Sequence, residues 1–128
     1  MKACLAGAFL AGGTVSLSLS LPHARAIVLL AILLAALATM YVGAALSTGR
    51  TPHVLVESLA AGAFVALATL GVWCSPLFLV FGYLTHGLWD LAHHRQQIAT
   101  RVPDWWPPLC LVYDWVIAGA ICLWWLQP

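Results

Sequence analysis

Charged residues are scarce in this sequence, and that scarcity limits the kind of protein it can be. They make up 7% of the 128 residues, whereas hydrophobic residues make up 63%. A soluble domain usually carries about 25% charged residues, because its surface has to face water. The composition therefore predicts a protein whose main solvent is lipid. Its uniformity predicts one unit over residues 1–128 rather than two domains.

A basic surface and paired cysteines are also lacking. The net charge is +1 and the basic residues are dispersed along the chain, so nucleic acid is not an expected partner. The four cysteines stand singly in apolar stretches, without a C-x-x-C pair of the kind that redox and zinc motifs require. We expect them to be small buried hydrophobic side chains. They are Cys4, Cys74, Cys110 and Cys122.

Five apolar stretches are long enough to cross a membrane, which takes about 20 mostly apolar residues per helix. Proline and glycine separate them, and only the last connection is more than a tight turn. The stretches lie near residues 3–21, 24–47, 54–73, 76–94 and 107–126. The sequence therefore predicts an all-α, polytopic transmembrane bundle of about five helices. Small residues are expected to let the helices approach closely, namely Ala35, Ala36, Gly43, Ala60, Ala61, Gly62, Gly119 and Ala120.

The N-terminal segment has some features of a signal peptide. Lys2 precedes an apolar stretch, and Ala24-Arg25-Ala26 resembles a cleavage site. We retain this segment as the first predicted helix of the bundle.

The basic residues indicate an orientation in the membrane. If the N-terminus is cytoplasmic, four basic residues lie inside and Arg25 alone lies outside. The four are Lys2, Arg50, Arg95 and Arg101. This asymmetry agrees with the positive-inside rule. The sequence thus predicts a multi-pass protein of a cell's inner membrane, with its N-terminus inside and its C-terminus outside.

The few ionisable side chains converge at one depth of the predicted bundle. Helices two and four end, and helices three and five begin, on the same side of the membrane. Within about two helical turns of that side, in a layer about 10 Å thick, lie Glu57, His86, Asp90 and Asp114. Tyr41 and Tyr113 reach similar depths and are expected to be hydrogen-bonding neighbours of these residues. A charge in lipid costs about 2.5 to 3.5 kcal/mol unless it has a partner, so this convergence calls for partners or a ligand.

The fourth predicted helix carries the densest polar motif, His86-Gly87-Leu88-Trp89-Asp90-Leu91-Ala92-His93-His94. His86, Asp90 and His93 are spaced i, i+4 and i+7 and therefore share one helix face. His94 lies just off that face, so only one of His93 and His94 is expected to point inward. A comparable stripe of polar and small residues on the fifth helix can face the first. It contains Cys110, Asp114, Ala118 and Cys122.

Imidazole and carboxylate groups on facing helices are the ligands of zinc, iron and manganese sites in helical bundles. The candidate ligands are His86, Asp90, His93, His94 and Asp114. Asp114 and Glu57 are also the candidates for a general base. The first hypothesis is an intramembrane enzyme with a divalent metal, zinc or iron. Its substrate would be a lipid or another hydrophobic small molecule, with hydrolysis and oxidation both open.

Three other interpretations stay open at this point. The same residues can neutralise one another as a structural polar cluster that binds nothing. A non-catalytic accessory subunit of a membrane complex could bind haem or pigment through one histidine, but the surrounding acids would then be unexplained. Intramembrane acids also mark ion or proton pathways, although here they occupy one side only. Membrane lipids are expected partners in each case, and a homo-oligomer is compatible with the sequence.

Several motifs resemble those of a family of small bacterial integral membrane proteins of unknown function. They are Tyr41-Val42-Gly43, Glu57, the helix-four motif with the pattern HGxWDxxHH, and Trp106-Pro107-Pro108 followed by Asp114. The resemblance covers most of residues 24–126. It implies a bacterial membrane protein, and it brings no activity with it.

Overall fold

A computed structural model of the chain describes residues 1–95, 97–98 and 100–125. The described residues form five α-helices and no strand. The helices are α1 (Lys2–Leu19), α2 (His23–Thr48), α3 (Thr51–Trp73), α4 (Leu77–His94) and α5 (Trp106–Trp124). The predicted all-α fold with five helices is confirmed. The predicted end of the fifth helix, residue 126, lies outside the described residues.

Proline and glycine set the helix ends. Helix α3 begins three residues earlier than predicted, because Pro52 lies in its first turn. Proline is tolerated there, since the first amides of a helix have no partner within the helix. Helix α2 ends at Gly49, whose φ of 65° is the left-handed conformation that glycine adopts without strain. The two-residue link from α2 to α3 therefore places Tyr41 and Glu57 near the same end of the bundle.

Among the described residues, four helices are long and apolar enough to cross a membrane, namely α1, α2, α3 and α5. Helix α4 has the same length as α1, 18 residues, but carries three histidines and an aspartate. Large apolar side chains such as Phe9, Leu59 and Leu123 cover the outer surface. A bundle that exposes apolar residues and buries acidic ones is suited to lipid rather than water. The fold is thus compatible with a multi-pass membrane protein.

The helices pack in a closed ring in the order α1, α5, α4, α3, α2, and α2 also contacts α4 across the interior. Leucine and isoleucine side chains fill the half of the bundle away from the polar residues; they include Leu30, Leu34, Leu79, Ile117 and Ile121. The Tyr83 hydroxyl lies among them and donates a hydrogen bond of 2.7 Å to the Leu30 carbonyl. The polar chemistry is therefore concentrated in the other half.

Close helix contacts occur at glycines other than those expected. A Cβ atom on Gly7 of α1 would lie 2.2 Å from the Leu109 carbonyl oxygen, so α1 and α5 touch through their backbones there. At Gly87, a Cβ atom would lie 2.6 Å from Nε1 of Trp115. The packing prediction for Gly43, Gly62 and Gly119 is wrong, because no described neighbour lies within 4 Å of a Cβ atom at those positions.

The cysteines do not share one environment. Cys110 is buried and Cys4 is partly buried, whereas Cys74 and Cys122 are exposed. The prediction that all four are buried is therefore wrong for Cys74 and Cys122. In a bundle with an apolar outer surface, a cysteine in an apolar stretch can face lipid as readily as the core.

Candidate functional site

The polar residues predicted to converge do so at one end of the bundle. There α2 ends, α3 begins, α4 ends and α5 begins, so side chains from four helices reach one depth. Glu57, His86, Asp90, His93 and Asp114 are all buried. His94 is exposed, as expected if only one of the two adjacent histidines points inward. The buried residues divide into two neighbouring groups.

The first group, the His–Asp–Asp trio, consists of His86 and Asp90 on α4 and Asp114 on α5. His86 Nδ1 lies 2.7 Å from Asp114 Oδ2 and 3.6 Å from Asp90 Oδ2. All three side chains are fully enclosed, at 0% exposure. One ligand atom from each residue lies within 4.8 Å of the other two, so a single ion could bridge them. Gly87 allows this approach, because the absence of a side chain there brings α5 close to α4.

Hydrogen bonding in the trio is incomplete among the described residues. Asp90 Oδ1 accepts a hydrogen bond from the Tyr41 hydroxyl, and His86 Nδ1 pairs with Asp114. Three buried atoms have no hydrogen-bond partner: His86 Nε2, Asp90 Oδ2 and Asp114 Oδ1. Two carboxylates also face a single imidazole, so a protonated His86 compensates the charge of only one of them when both are ionised. Buried polar atoms of proteins are nearly always paired, which makes this group an exception.

The second group, the Glu–His pair, joins Glu57 on α3 to His93 on α4. His93 Nδ1 lies 2.9 Å from the Trp89 carbonyl oxygen, which can only accept, so this nitrogen carries a proton. His93 Nε2 lies 3.0 Å from Glu57 Oε1, and the Trp89 indole N–H donates to Glu57 Oε2 at 3.2 Å. Both imidazole nitrogens and both carboxylate oxygens therefore have a partner, and the pair is complete without a ligand.

Two aromatic rings hold these groups in place. Tyr41 stacks on His93 with 4.1 Å between ring centroids, while its hydroxyl donates to Asp90. Tyr41 thus touches both groups. Phe64 of α3 meets His86 edge to face at 4.9 Å and closes the trio on that side. The trio is consequently shielded from solvent, and hydrogen bonds and charges in it act with little screening.

A cavity of about 450 Å³ opens at this end of the bundle, and His93 forms part of its wall. The other lining residues belong to the α2–α3 link, the start of α3, the end of α4, the segment that leads into α5 and the first turn of α5. They include Arg50, His53, His94, Thr100, Arg101 and Asp104. The Glu–His pair and Tyr41 therefore lie between this cavity and the trio.

The structure brings together most of the predicted site residues but divides their roles. His86, Asp90 and Asp114 meet, whereas His93 pairs with Glu57 instead, and His94 lies on the cavity wall. Tyr41 is a hydrogen-bonding neighbour of the site, as the sequence suggested. Tyr113 is not, because its hydroxyl lies 3.2 Å from Thr14 Oγ1 of α1.

Trp89 and Phe64 contribute contacts that sequence reasoning did not anticipate. Trp89 precedes His93 by four residues, a spacing that already places both on one face of α4. Phe64 follows Glu57 by seven residues, which is about two helical turns, so both lie on one face of α3. Helical spacing from the polar residues was therefore a usable signal for both.

The fold and the site together define the class: an all-helical bundle of membrane-protein character with a buried His–Asp–Asp group. One nitrogen and two carboxylate oxygens suit zinc, iron or manganese. Comparison with family models, curated proteins and solved structures found no significant match. The resemblance to small bacterial membrane proteins with the HGxWDxxHH pattern stays a prediction.

Proposed function

We propose that this chain is an integral membrane enzyme that holds a divalent metal, zinc or iron, with His86, Asp90 and Asp114. Its substrate would be a lipid or another hydrophobic small molecule. The observation that carries the proposal is the convergence of three fully buried side chains whose ligand atoms lie within 4.8 Å of one another and are incompletely paired.

The energetics of burial favour a ligand in the trio. Removing a carboxylate from water costs several kcal/mol, and only good pairing offsets that cost. The Glu–His pair achieves such pairing with protein groups alone, but the trio lacks donors for Asp90 Oδ2 and Asp114 Oδ1. A divalent cation would compensate both carboxylates at once. It would also displace the proton from His86 Nδ1, the nitrogen that faces them.

Each neighbouring residue has a role in this proposal. Tyr41 holds Asp90 through its hydroxyl, as groups behind metal ligands commonly do. Asp114, with Oδ1 unpaired, is a ligand or a base. His93 lines the cavity and is hydrogen-bonded to Glu57, so the two side chains can share a proton between the cavity and the trio. The metal, when bound, would supply Lewis acidity, which serves hydrolysis, whereas iron would also serve oxidation.

We also propose that the site lies in the inner leaflet of a bacterial inner membrane. The four basic residues Lys2, Arg50, Arg95 and Arg101 belong to the end of the bundle that carries the site, and Arg25 belongs to the opposite end. The positive-inside rule supports this orientation. A reporter fused after residue 128 should then be active on the outside only.

Haem ligation fits the trio less well. An axial histidine needs an open apolar slot beside its ring. His86 is fully enclosed, with Phe64 against it and two carboxylates at Nδ1. An accessory-subunit role for the chain would therefore have to rest on a surface other than this site.

The decisive experiment is elemental analysis of the detergent-purified protein, with an absorption spectrum. We expect nearly one zinc or iron per chain, lost in both His86→Ala and Asp90→Ala. His94→Ala is the matched control, since it removes an imidazole of α4 that lies outside the trio. Metal that is absent from the native protein after gentle purification and attempted reconstitution would contradict the proposal. The trio would then be a structural polar cluster.

A further inference from the structure

The cavity beside the Glu–His pair is lined mainly by basic side chains. Arg50, His53 and Arg101 line it, and the same three residues line an adjoining cavity of about 300 Å³. Asp104 is the acidic residue on its wall. Among the described residues neither arginine lies within 4 Å of a carboxylate oxygen. Two exposed arginines without an ion-pair partner among the described residues therefore line this open cavity at the end of the bundle.

Polar side chains inside the cavity wall also lack partners. Thr100 is only 3% exposed, and its hydroxyl lies beside the Glu57 carboxylate without a well-formed hydrogen bond to a described residue. His53 Nδ1 is a second buried atom without one. A buried donor that lacks a well-formed hydrogen bond is destabilising, so a wall built in this way favours a ligand that accepts hydrogen bonds.

The start of α3 adds positive electrostatic potential at the same cavity. The helix begins at Thr51, between Arg50 and His53, without a side-chain cap and without an acidic residue in its first turn. The positive end of the helix dipole therefore lies beside the cavity, because Arg50 and His53 both line it. Two arginines, a buried hydroxyl and this helix end are complementary to a compact anion with several acceptor oxygens.

We propose that this cavity binds a phosphate group and that the phosphate is the headgroup of a membrane lipid. The cavity opens at the end of an apolar bundle, where headgroups lie, and His93 connects its wall to Glu57 and Tyr41. If the proposed enzyme function holds, the site selects phospholipids as its substrate class. The binding itself does not depend on the metal.

The test is calorimetric titration of the purified chain with dioctanoyl phosphatidic acid, dioctanoylglycerol and inorganic phosphate. We expect phosphatidic acid to bind at least about tenfold more tightly than dioctanoylglycerol, which has the same acyl chains without the phosphate. Weaker binding of inorganic phosphate supports the lipid source. Inorganic phosphate that binds as tightly as the lipid would overturn the lipid assignment, and equal binding of the two lipids would overturn the phosphate site itself.

Substitutions distinguish specific binding in this cavity from nonspecific attraction between basic residues and anionic lipids. The double variant Arg50→Gln/Arg101→Gln should weaken phosphatidic acid binding at least about tenfold, and Thr100→Val should weaken it less. Arg95→Gln is the matched control, because Arg95 is exposed at the same end but lines neither cavity. An equal effect of Arg95→Gln would overturn the proposal. Asp90→Ala should leave phosphate binding intact, so the outcome is independent of the metal site.

Discussion

Two buried polar groups lie side by side in this bundle, and they differ in how completely the protein pairs them. In the Glu–His pair, each nitrogen and carboxylate oxygen of His93 and Glu57 has a partner at 2.9 to 3.2 Å. In the trio, His86, Asp90 and Asp114 each retain one buried atom without a partner. Both groups are buried, so burial alone does not distinguish structure from function. Pairing does.

The contrast suggests that one group stabilises the bundle and the other is kept ready for a ligand. A complete pair contributes to stability and gains little from a further partner. An incomplete group costs stability until something binds, and such costs are characteristic of functional sites. Substitutions in the two groups should therefore have opposite signatures, with a loss of stability in the pair and a loss of metal in the trio.

The largest effect on stability is expected for Glu57→Ala. It leaves His93 Nε2 and the Trp89 indole without their acceptor, and breaking a buried pair costs about 3 to 5 kcal/mol. The free energy of unfolding in detergent should fall accordingly, while the metal content per folded chain stays unchanged.

Asp114→Asn in metal-free protein is the matched comparison. It removes one of two carboxylates that face a single imidazole, so it should cost less stability than Glu57→Ala. The assignment of roles would be reversed if Asp114→Asn were the more destabilising of the two changes and Glu57→Ala abolished metal binding.

An intermediate effect is expected for Gly87→Ala. The added Cβ atom would lie 2.6 Å from Trp115 Nε1 and 3.2 Å from Leu111 Cδ1, so α5 or its side chains must shift away from α4. Overpacking of this kind costs about 1 to 3 kcal/mol. Because Asp114 is carried by α5, the same shift should weaken metal binding, which titration with zinc would detect.

Gly62→Ala provides the control for that change. Gly62 lies on α3, the helix of Glu57, and a Cβ atom there has no described neighbour within 4 Å. The substitution should leave both stability and zinc affinity close to those of the native chain. Equal effects at Gly62 and Gly87 would mean that the close contact of α4 with α5 does not position the trio.

Much of this arrangement could be predicted from the sequence, for identifiable reasons. Scarce charges and long apolar stretches leave few alternatives to a helical bundle, and antiparallel neighbours bring Asp90 and Asp114 to one depth. The separation of His93 from the trio follows from helix rise, since seven residues from His86 span about 10 Å, too far for one ion. Shared depth and a shared face were thus insufficient to define one ligand set.

Other features depended on helix rotation, which the sequence leaves open. An apolar outer surface hides the amphipathic pattern that normally tells the inner face of a helix from the outer one. For that reason Gly43, Gly62 and Gly119 could not be told apart from Gly7 and Gly87, which do make close contacts. The hydrogen bond of Trp89 to Glu57 depends on the same unknown rotation of α3 against α4.

Tyr41→Phe is expected to change stability least, and it tests the comparison between the Glu–His pair and the trio most directly. Tyr41 touches both groups, stacking on His93 and donating a hydrogen bond to Asp90. Phenylalanine retains the ring and removes only the hydroxyl, so the pair should be preserved while Asp90 loses its donor. We expect about 1 kcal/mol of destabilisation, together with a ten- to hundredfold loss of zinc affinity.

Tyr41→Leu separates the two contributions of this residue. Leucine removes the ring as well as the hydroxyl, so it should reproduce the loss of zinc affinity and add a larger loss of stability from the missing stack on His93. Zinc affinity that is unchanged in Tyr41→Phe would show that the hydroxyl does not orient Asp90. The two polar groups would then be independent neighbours, although Tyr41 contacts both of them.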